Sequence, residues 1–217
     1  MIAYVILMAV PLLIDVISLF FLPDTIPAHY DISGKVDRYG SRFELLILPV
    51  LSIVIGIILF VCSKSSSAEE TSTKNNEKIV LVVGECCLVI FMVMNFYFLY
   101  LAFNSITDVF ALKIDIGRVC CFLNGLIMLV TGNVMPKSKR NSIVGVRLPW
   151  TKTSDEIWKK SQHFGGIVSV ICGFVLLVSA FVFKSRTAMI AFLSVDILMA
   201  IVCTVYTYII AHKRNDV

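Results

Sequence analysis

Apolar positions in this chain form long runs with few polar residues, and short polar stretches separate them. The runs cover residues 2–22, 43–62, 79–103, 116–135, 164–183 and 188–211. Each run is close to the roughly 20 residues that an α-helix needs to cross a bilayer. Because the runs are continuously apolar, they disfavour a transmembrane β-barrel, whose strands alternate apolar and polar positions. The pattern predicts an all-α polytopic membrane bundle of about six transmembrane helices.

The composition agrees with a membrane protein. Apolar residues make up 58% of the chain and charged residues only 16%, whereas soluble domains are nearer half apolar and a quarter charged. Six spans use more than half of the 217 residues, which leaves too little chain for a soluble catalytic domain. The first run lacks the basic start and the cleavage site of a signal peptide, so we interpret it as the first span.

The Lys and Arg residues of the connections predict the orientation. With a cytoplasmic N-terminus, twelve of them lie on the inner side and seven on the outer side. Because cytoplasmic loops carry an excess of Lys and Arg, both termini are predicted to lie inside. Residues 63–77, rich in Ser, Thr, Glu and Lys, are predicted to form a mobile cytoplasmic linker. It would join an N-terminal two-helix unit, 1–62, to a C-terminal four-helix unit, 78–217.

One long connection, residues 22–44, is predicted to lie on the outer side and is called the hairpin loop. Ser33-Gly34 is a turn signal, and short alternating stretches flank it, which favours a compact hairpin. The loop could be a recognition surface, and its candidate residues are His29, Asp31, Gly34, Asp37 and Arg38. Imidazole and carboxylate groups could instead share a metal ion. A third interpretation is a folded lid whose polar groups bind one another and water.

The other long connection, residues 135–166, is predicted to lie on the inner side and is called the basic loop. It carries seven basic and two acidic residues, a net charge of +5. Such a charge attracts anionic lipid headgroups, and a cytoplasmic protein could use the same surface. The loop has no zinc module, recognition helix or aromatic platform, so direct nucleic-acid binding is not indicated.

A juxtamembrane helix is predicted inside the basic loop. Thr153 and Glu156 have the spacing of a capping box, so a helix should begin near Ser154. Its apolar side is expected to face lipid through Ile157, Trp158 and Phe164.

Acidic residues interrupt three of the apolar runs, at Asp15, Glu85 and Asp196. An acid inside the membrane costs about 2.5–3.5 kcal/mol to insert, so it needs a physical reason. Asp15 and Asp196 should reach similar depths on the outer side, and Arg118 lies near the outer end of the fourth helix. We predict an outer-leaflet polar pocket formed by Asp15, Arg118 and Asp196. The alternative is that the two acids are protonated or reach the interface individually.

Enzymatic chemistry is not indicated by the sequence. His29 and His163 fall on opposite predicted sides, and no HExxH, GxSxG or credible Ser/Lys pair is present. The seven cysteines lack the spacing of a zinc site or a thiol motif, and their odd number argues against a disulfide framework. The chain is therefore predicted not to be an enzyme and to need no cofactor.

Motifs in both long connections resemble one family. The hairpin loop resembles the N-terminal domain of unknown function of SdpI-type membrane proteins through Leu22, Pro23, Asp24, Ile26, Pro27, His29, Gly34, Asp37 and Gly40. The region 132–166 resembles the C-terminal signature of that family through Gly132, Asn133, Met135, Pro136, Lys137, Asn141, Gly145, Arg147, Pro149, Trp150, Thr151, Trp158, His163, Gly165 and Gly166.

The resemblance implies a multi-pass protein of the bacterial plasma membrane. The name-giving member of the family gives immunity to a secreted peptide toxin that collapses the membrane potential, and it also holds a cytoplasmic autorepressor at the membrane. The implied partners are a toxin at the outer face and an ArsR-like repressor at the inner face. The candidate residues for the inner partner are Asn133, Pro136, Lys137, Asn141, Gly145, Arg147, Pro149, Trp150, Thr151, Trp158 and His163. A small-solute or ion transporter that uses the acidic pocket is the alternative function.

Overall fold

The computed structural model describes residues 2–65 and 74–213. Within this part of the chain it has six α-helices and a two-stranded antiparallel sheet. The helices are α1 (Ile2–Ser18), α2 (Ile47–Ser65), α3 (Lys74–Phe103), α4 (Ile116–Val134), α5 (Asp155–Val182) and α6 (Ser185–His212). The strands are β1 (Thr25–Tyr30) and β2 (Val36–Ser41), and short 3-10 helices cover Arg42–Leu46, Met135–Lys137 and Pro149–Lys152.

The described residues contain five helices, α2 to α6, that are long and apolar enough to cross a membrane. Helix α1 is apolar but has 17 residues, at the lower limit for a span. Large apolar side chains such as Phe174, Val178 and Phe181 of α5 are exposed, as expected for a helix face in lipid. The predicted all-α membrane bundle is confirmed. The count of six spans and the cytoplasmic position of both termini remain predictions.

The chain divides into two compact units. One combines Met1–Leu59 with Gly84–Ile116, and the other combines Phe60–Val83 with Gly117–Val217. The predicted domain boundaries, and the mobility of the linker at 63–77, remain predictions. Helix α2 reaches Ser65 and α3 begins at Lys74, so the ends of the predicted linker are helical. Its central residues 66–73 lie outside the described residues.

The core of the first unit lies beneath the hairpin loop. It is a cluster of buried apolar residues against which Ile14 packs, formed by Leu22, Ile26, Leu45, Leu99 and Ala102. The hydroxyl of Tyr4 in α1 donates a hydrogen bond to the Gly56 carbonyl oxygen of α2 at 2.9 Å. This core joins both ends of the hairpin loop to the C-terminal turns of α3.

Paired glycines let α4 and α5 approach closely in the second unit. A Cβ atom at Gly132 would lie 2.7 Å from the carbonyl oxygen of Gly166, and one at Gly166 would lie 2.7 Å from that of Gly132. Gly125 and Gly173, seven residues along each helix, repeat this contact at 2.9 and 2.8 Å. Small residues allow this separation because they have no side chain between the two backbones.

The predicted juxtamembrane helix exists, but it is the beginning of α5 rather than a separate element. Ser154 caps it, because its hydroxyl oxygen accepts a hydrogen bond from the Ile157 amide at 3.2 Å. The predicted lipid contact of Ile157 and Trp158 is wrong, since these side chains are only 7% and 2% exposed. The basic loop covers this face, and the Trp158 indole donates to the Ser138 carbonyl oxygen at 3.0 Å.

Candidate functional site

The hairpin loop forms the predicted hairpin. Strands β1 and β2 pair antiparallel, with Thr25 opposite Ser41 and Tyr30 opposite Val36. The register is irregular on both sides of His29: β1 has one extra residue between Pro27 and His29, and β2 has one extra residue between Arg38 and Val36.

Asp31 organises the turn at the tip of the hairpin. Its Oδ1 atom accepts hydrogen bonds from the Ser33 hydroxyl at 2.6 Å, the Ser33 amide at 2.8 Å and the Lys35 amide at 2.9 Å. The bond from the Ser33 hydroxyl is the largest cause that lowers the pKa of Asp31, followed by the bond from the Lys35 amide. Gly34 adopts a φ of +84°, which a side chain would strain. Asp31 and Gly34 therefore have a structural role in the turn.

The stretch 106–109, which follows α3, also binds the hairpin through hydrogen bonds. The Val36 amide donates to the Thr107 carbonyl oxygen at 3.0 Å, and the Val109 amide donates to that of Gly34 at 2.8 Å. Tyr30 donates its hydroxyl proton to the Ile106 carbonyl oxygen at 2.9 Å, and burial raises its pKa to about 12. The stretch 106–109 therefore fixes the hairpin to the connection that follows α3.

The remaining candidate residues of the hairpin loop form exposed charge pairs. His29 Nδ1 lies 2.6 Å from Asp37 Oδ1, and these side chains are 62% and 46% exposed. Arg38 donates two hydrogen bonds to the Glu44 carboxylate, at 3.1 and 2.8 Å, and this pairing raises the pKa of Arg38. A Cβ atom at Gly40 would overlap Glu44 Oε1, so that glycine makes room for the Arg38 pair. Surface pairs of this kind contribute little stability, which leaves them available for recognition.

A cavity of about 240 Å³ lies in the first unit behind the Arg38–Glu44 pair. Its walls are mainly apolar side chains of the hairpin loop, α2 and α3, and Asn95 also lines it. The Asn95 amide donates to Asp15 Oδ1 at 2.9 Å. Asp15 is fully buried, and its Oδ2 atom has no hydrogen-bond partner in the described structure.

The second intramembrane acid also has an asparagine partner. The Asn124 side-chain amide donates hydrogen bonds to the two carboxylate oxygens of Asp196, at 3.0 and 3.2 Å. Arg118, assigned to the same predicted pocket, donates its Nε proton to the Phe183 carbonyl oxygen at 2.9 Å. The predicted pocket of Asp15, Arg118 and Asp196 remains a prediction. The two asparagine partners were not predicted.

Buried polar side chains shape the basic loop. Asn141 Oδ1 accepts from the amides of Ile143 and Val144 at 2.7 and 2.9 Å. Thr151 donates its hydroxyl proton to the Val146 and Leu148 carbonyl oxygens, both at 2.9 Å. Asn141 and Thr151 are almost completely buried, so they stabilise the fold of the loop and do not lie on its surface.

Two side-chain amides clamp the backbone of the loop. Gln162 of α5 accepts from the Val146 amide at 2.9 Å and donates to the Val146 carbonyl oxygen at 3.1 Å. Asn76 of α3 accepts from the Lys139 amide at 2.9 Å and donates to the Lys139 carbonyl oxygen at 3.2 Å. Gly145, at a φ of +101°, gives Gln162 the necessary space, since a Cβ there would overlap its Oε1 atom.

The other predicted inner-partner residues lie nearer the surface. The exposed positions are Asn133, Lys137, Gly145, Arg147, Pro149 and His163. Pro136 and Trp150 are partly buried, and the Trp150 indole donates to the Thr207 hydroxyl at 3.2 Å.

The metal alternative for the hairpin loop gains no support. Across residues 2–65 and 74–213, no group of three or more His, Cys, Asp or Glu side chains could hold a metal ion. His29 has Asp37 as its acidic neighbour, whereas Asp31 is engaged by Ser33 and Lys35.

The apolar helices define a multi-pass membrane protein whose candidate sites lie in its two long connections. Residues 137–207 match the SdpI/YfhL protein family, and residues 6–53 match the domain of unknown function DUF1648. The second match includes the whole hairpin loop, and the first begins within the basic loop. Together with the relative described next, these matches confirm the predicted resemblance to the SdpI family.

The chain is similar to curated proteins of two organisms. It is 21% identical over 211 residues to Immunity protein SdpI of Bacillus subtilis (strain 168), covering 97% of this chain and 95% of that protein. It is 56% identical over 41 residues to an uncharacterized protein of Archaeoglobus fulgidus, covering 18% of this chain and 22% of that protein. No solved structure matches this chain.

Proposed function

We propose that this protein is an immunity protein of the bacterial plasma membrane that protects its cell from a secreted, membrane-active peptide. The observation that carries the proposal is the similarity to Immunity protein SdpI over 97% of this chain. The matched domain at 6–53 contains the complete hairpin loop, which connects α1 to α2.

In this proposal the hairpin loop is the surface that meets the peptide. Ile32 at its tip is 85% exposed, and the His29–Asp37 pair is exposed on the adjoining strands. A membrane-active peptide presents apolar and charged groups together, so a surface that combines both suits it chemically. The Asp31 turn holds the hairpin in one conformation, which lowers the entropy cost of binding.

A membrane-potential assay tests this function. Cells that carry a potential-sensitive dye and express the protein should keep their potential when challenged with candidate peptides that depolarise control cells. His29→Ala and Asp37→Ala should reduce protection, because each removes half of the exposed pair. Lys184→Ala is the matched control, since Lys184 is an exposed charge in the short α5–α6 connection, on the same predicted side of the membrane.

The outcomes separate the function from the site. One outcome is that the wild-type protein reaches normal levels in the membrane and still leaves cells as sensitive as control cells to every peptide tested from the same organism. That result would reject immunity. Full protection by both hairpin variants would keep immunity and reject the hairpin loop as the peptide-binding surface. Reduced protection by Lys184→Ala as well would indicate a general effect of charge.

A second proposed role is signalling, in which the basic loop binds a cytoplasmic ArsR-like repressor. The supporting observation is that the loop is folded and carries exposed residues such as Arg147. The buried side chains of Asn141 and Thr151 stabilise its conformation through hydrogen bonds to the loop backbone. A tagged protein should retain such a repressor on membranes, and Arg147→Ala should release it. Equal retention by Arg147→Ala and Trp150→Ala would reject the loop as the binding surface. The alternative of a transporter gains no support from the similarities.

A further inference from the structure

The second unit contains a pocket that the immunity proposal does not use. It has a volume of about 370 Å³ and lies between the stretch 136–140, directly after α4, and the first turns of α5. Four cationic side chains and one carboxylate line it, from Lys137, Lys139, Arg140, Lys159 and Asp155. The buried Trp158 ring also lines the pocket. We call this site the basic pocket.

The charges of the basic pocket are not balanced. Arg140 Nε lies 3.1 Å from Asp155 Oδ1, so the carboxylate is already neutralised by one cation. The ammonium groups of Lys137, Lys139 and Lys159 form no ion pair with any side chain in the part of the chain that the structure describes. Like charges held together repel one another, so the pocket is favourable for an anion.

The backbone around the basic pocket is held in place. Asn76 bonds both the amide and the carbonyl oxygen of Lys139, and Asn75 donates to the Lys137 carbonyl oxygen at 2.6 Å. The Trp158 indole donates to the Ser138 carbonyl oxygen. The pocket is therefore preorganised, and an anion that enters it need not order the chain first.

Helix lengths indicate the depth of the basic pocket in the membrane. Helix α4 has 19 residues and at 1.5 Å per residue is about 28 Å long, close to the hydrocarbon thickness of about 30 Å. Helix α5 has 28 residues and is about 42 Å long, so its end projects beyond the hydrocarbon. The pocket lies where α4 ends and α5 begins, which corresponds to the layer of lipid headgroups.

We propose that the basic pocket binds the phosphate group of an anionic phospholipid. The phosphodiester would accept hydrogen bonds from the ammonium groups of Lys137, Lys139 and Lys159, while the acyl chains remain in the bilayer beside the exposed apolar faces of the helices. Lysine is a suitable ligand because its flexible stem can reach a phosphate as a point charge. The proposal does not depend on the immunity function.

Lipid titration of the purified full-length protein tests the proposal. Native mass spectrometry in a non-ionic detergent would compare phosphatidylglycerol with phosphatidylcholine, and should show preferential binding of phosphatidylglycerol. Each lysine removed should weaken that binding about fivefold, so K137Q/K159Q should weaken it by more than tenfold. K137R/K159R, which keeps both charges, should bind like the wild type.

A matched control distinguishes a pocket from general attraction. Lys152 and Lys213 are exposed and do not line the basic pocket, so K152Q/K213Q removes the same charge and should leave affinity nearly unchanged. Equal weakening by both double variants would overturn the pocket. Phosphatidylcholine binding as tightly as phosphatidylglycerol would also overturn it. Inorganic phosphate that displaces phosphatidylglycerol at equal concentration would show a site for a soluble anion and reject the lipid.

Discussion

The close approach of α4 and α5 can be tested by adding a side chain at Gly132. A Cβ atom there would lie 2.7 Å from the Gly166 carbonyl oxygen, whereas carbon–oxygen contacts between helices lie near 3.3–3.6 Å. The helices would have to separate by about 0.6–0.9 Å at a position where both backbones are in contact. Overpacking of this kind costs about 1–3 kcal/mol. We therefore expect Gly132→Val to destabilise the second unit by that amount.

Thermal unfolding of the purified protein in detergent measures the effect. For a chain of this size, 1 kcal/mol corresponds to about 2–4 °C, so Gly132→Val should lower Tm by about 2–12 °C. Asn133→Val is the matched control, because it places the same side chain at the next position, which is exposed. It should change stability by less than about 0.5 kcal/mol.

Equal Tm values for the two variants would refute the reasoning. That result would mean that the backbones of α4 and α5 are far enough apart to accept a valine between them. A loss of stability in Asn133→Val alone would also refute the reasoning, because it would place residue 133 rather than residue 132 at the contact between α4 and α5.

Three further variants test individual bonds. Asn95→Leu removes the amide that donates to the buried Asp15, and should lower the free energy of unfolding by about 1–3 kcal/mol in a thermal assay. Gly145→Ala should lower Tm, because φ is +101° and the new Cβ would overlap Gln162; an unchanged Tm would contradict the clamp. The lowered pKa of Asp31 means that its stabilising effect is present above about pH 4 and is lost as pH falls through that pKa. Asp31→Asn should remove this acid dependence when unfolding midpoints are measured between pH 3 and 6. A pH profile identical to that of the wild type would contradict the role of Asp31 in the turn.

Local signals predicted much of the fold. The hairpin followed from Ser33-Gly34 and the alternating residues around it, and the membrane helices followed from continuous apolar runs. The start of α5 near Ser154 was also predicted from local spacing, although Thr153 was chosen as part of the cap. These features depend on residues within a few positions of one another, which is why the sequence was sufficient for them.

The partners that complete the sites could not be predicted in this way. Asn95 meets Asp15 across 80 positions, and Asn124 meets Asp196 across 72, and neither periodicity nor spacing relates positions so far apart. The burial of Trp158 was missed for a similar reason. An apolar face at the end of a membrane helix can meet lipid or a covering loop, and the local pattern is the same in both cases.

The way in which the basic loop is held has a consequence for how its surface can diversify. Asn76 and Gln162 bind the main-chain atoms of Lys139 and Val146, and every amino acid except proline offers the same donor and acceptor. Substitutions at these two positions can therefore alter charge or size without losing the bonds that give the loop its shape. Related proteins could carry one loop geometry with different surface chemistry, each fitted to its own ligand.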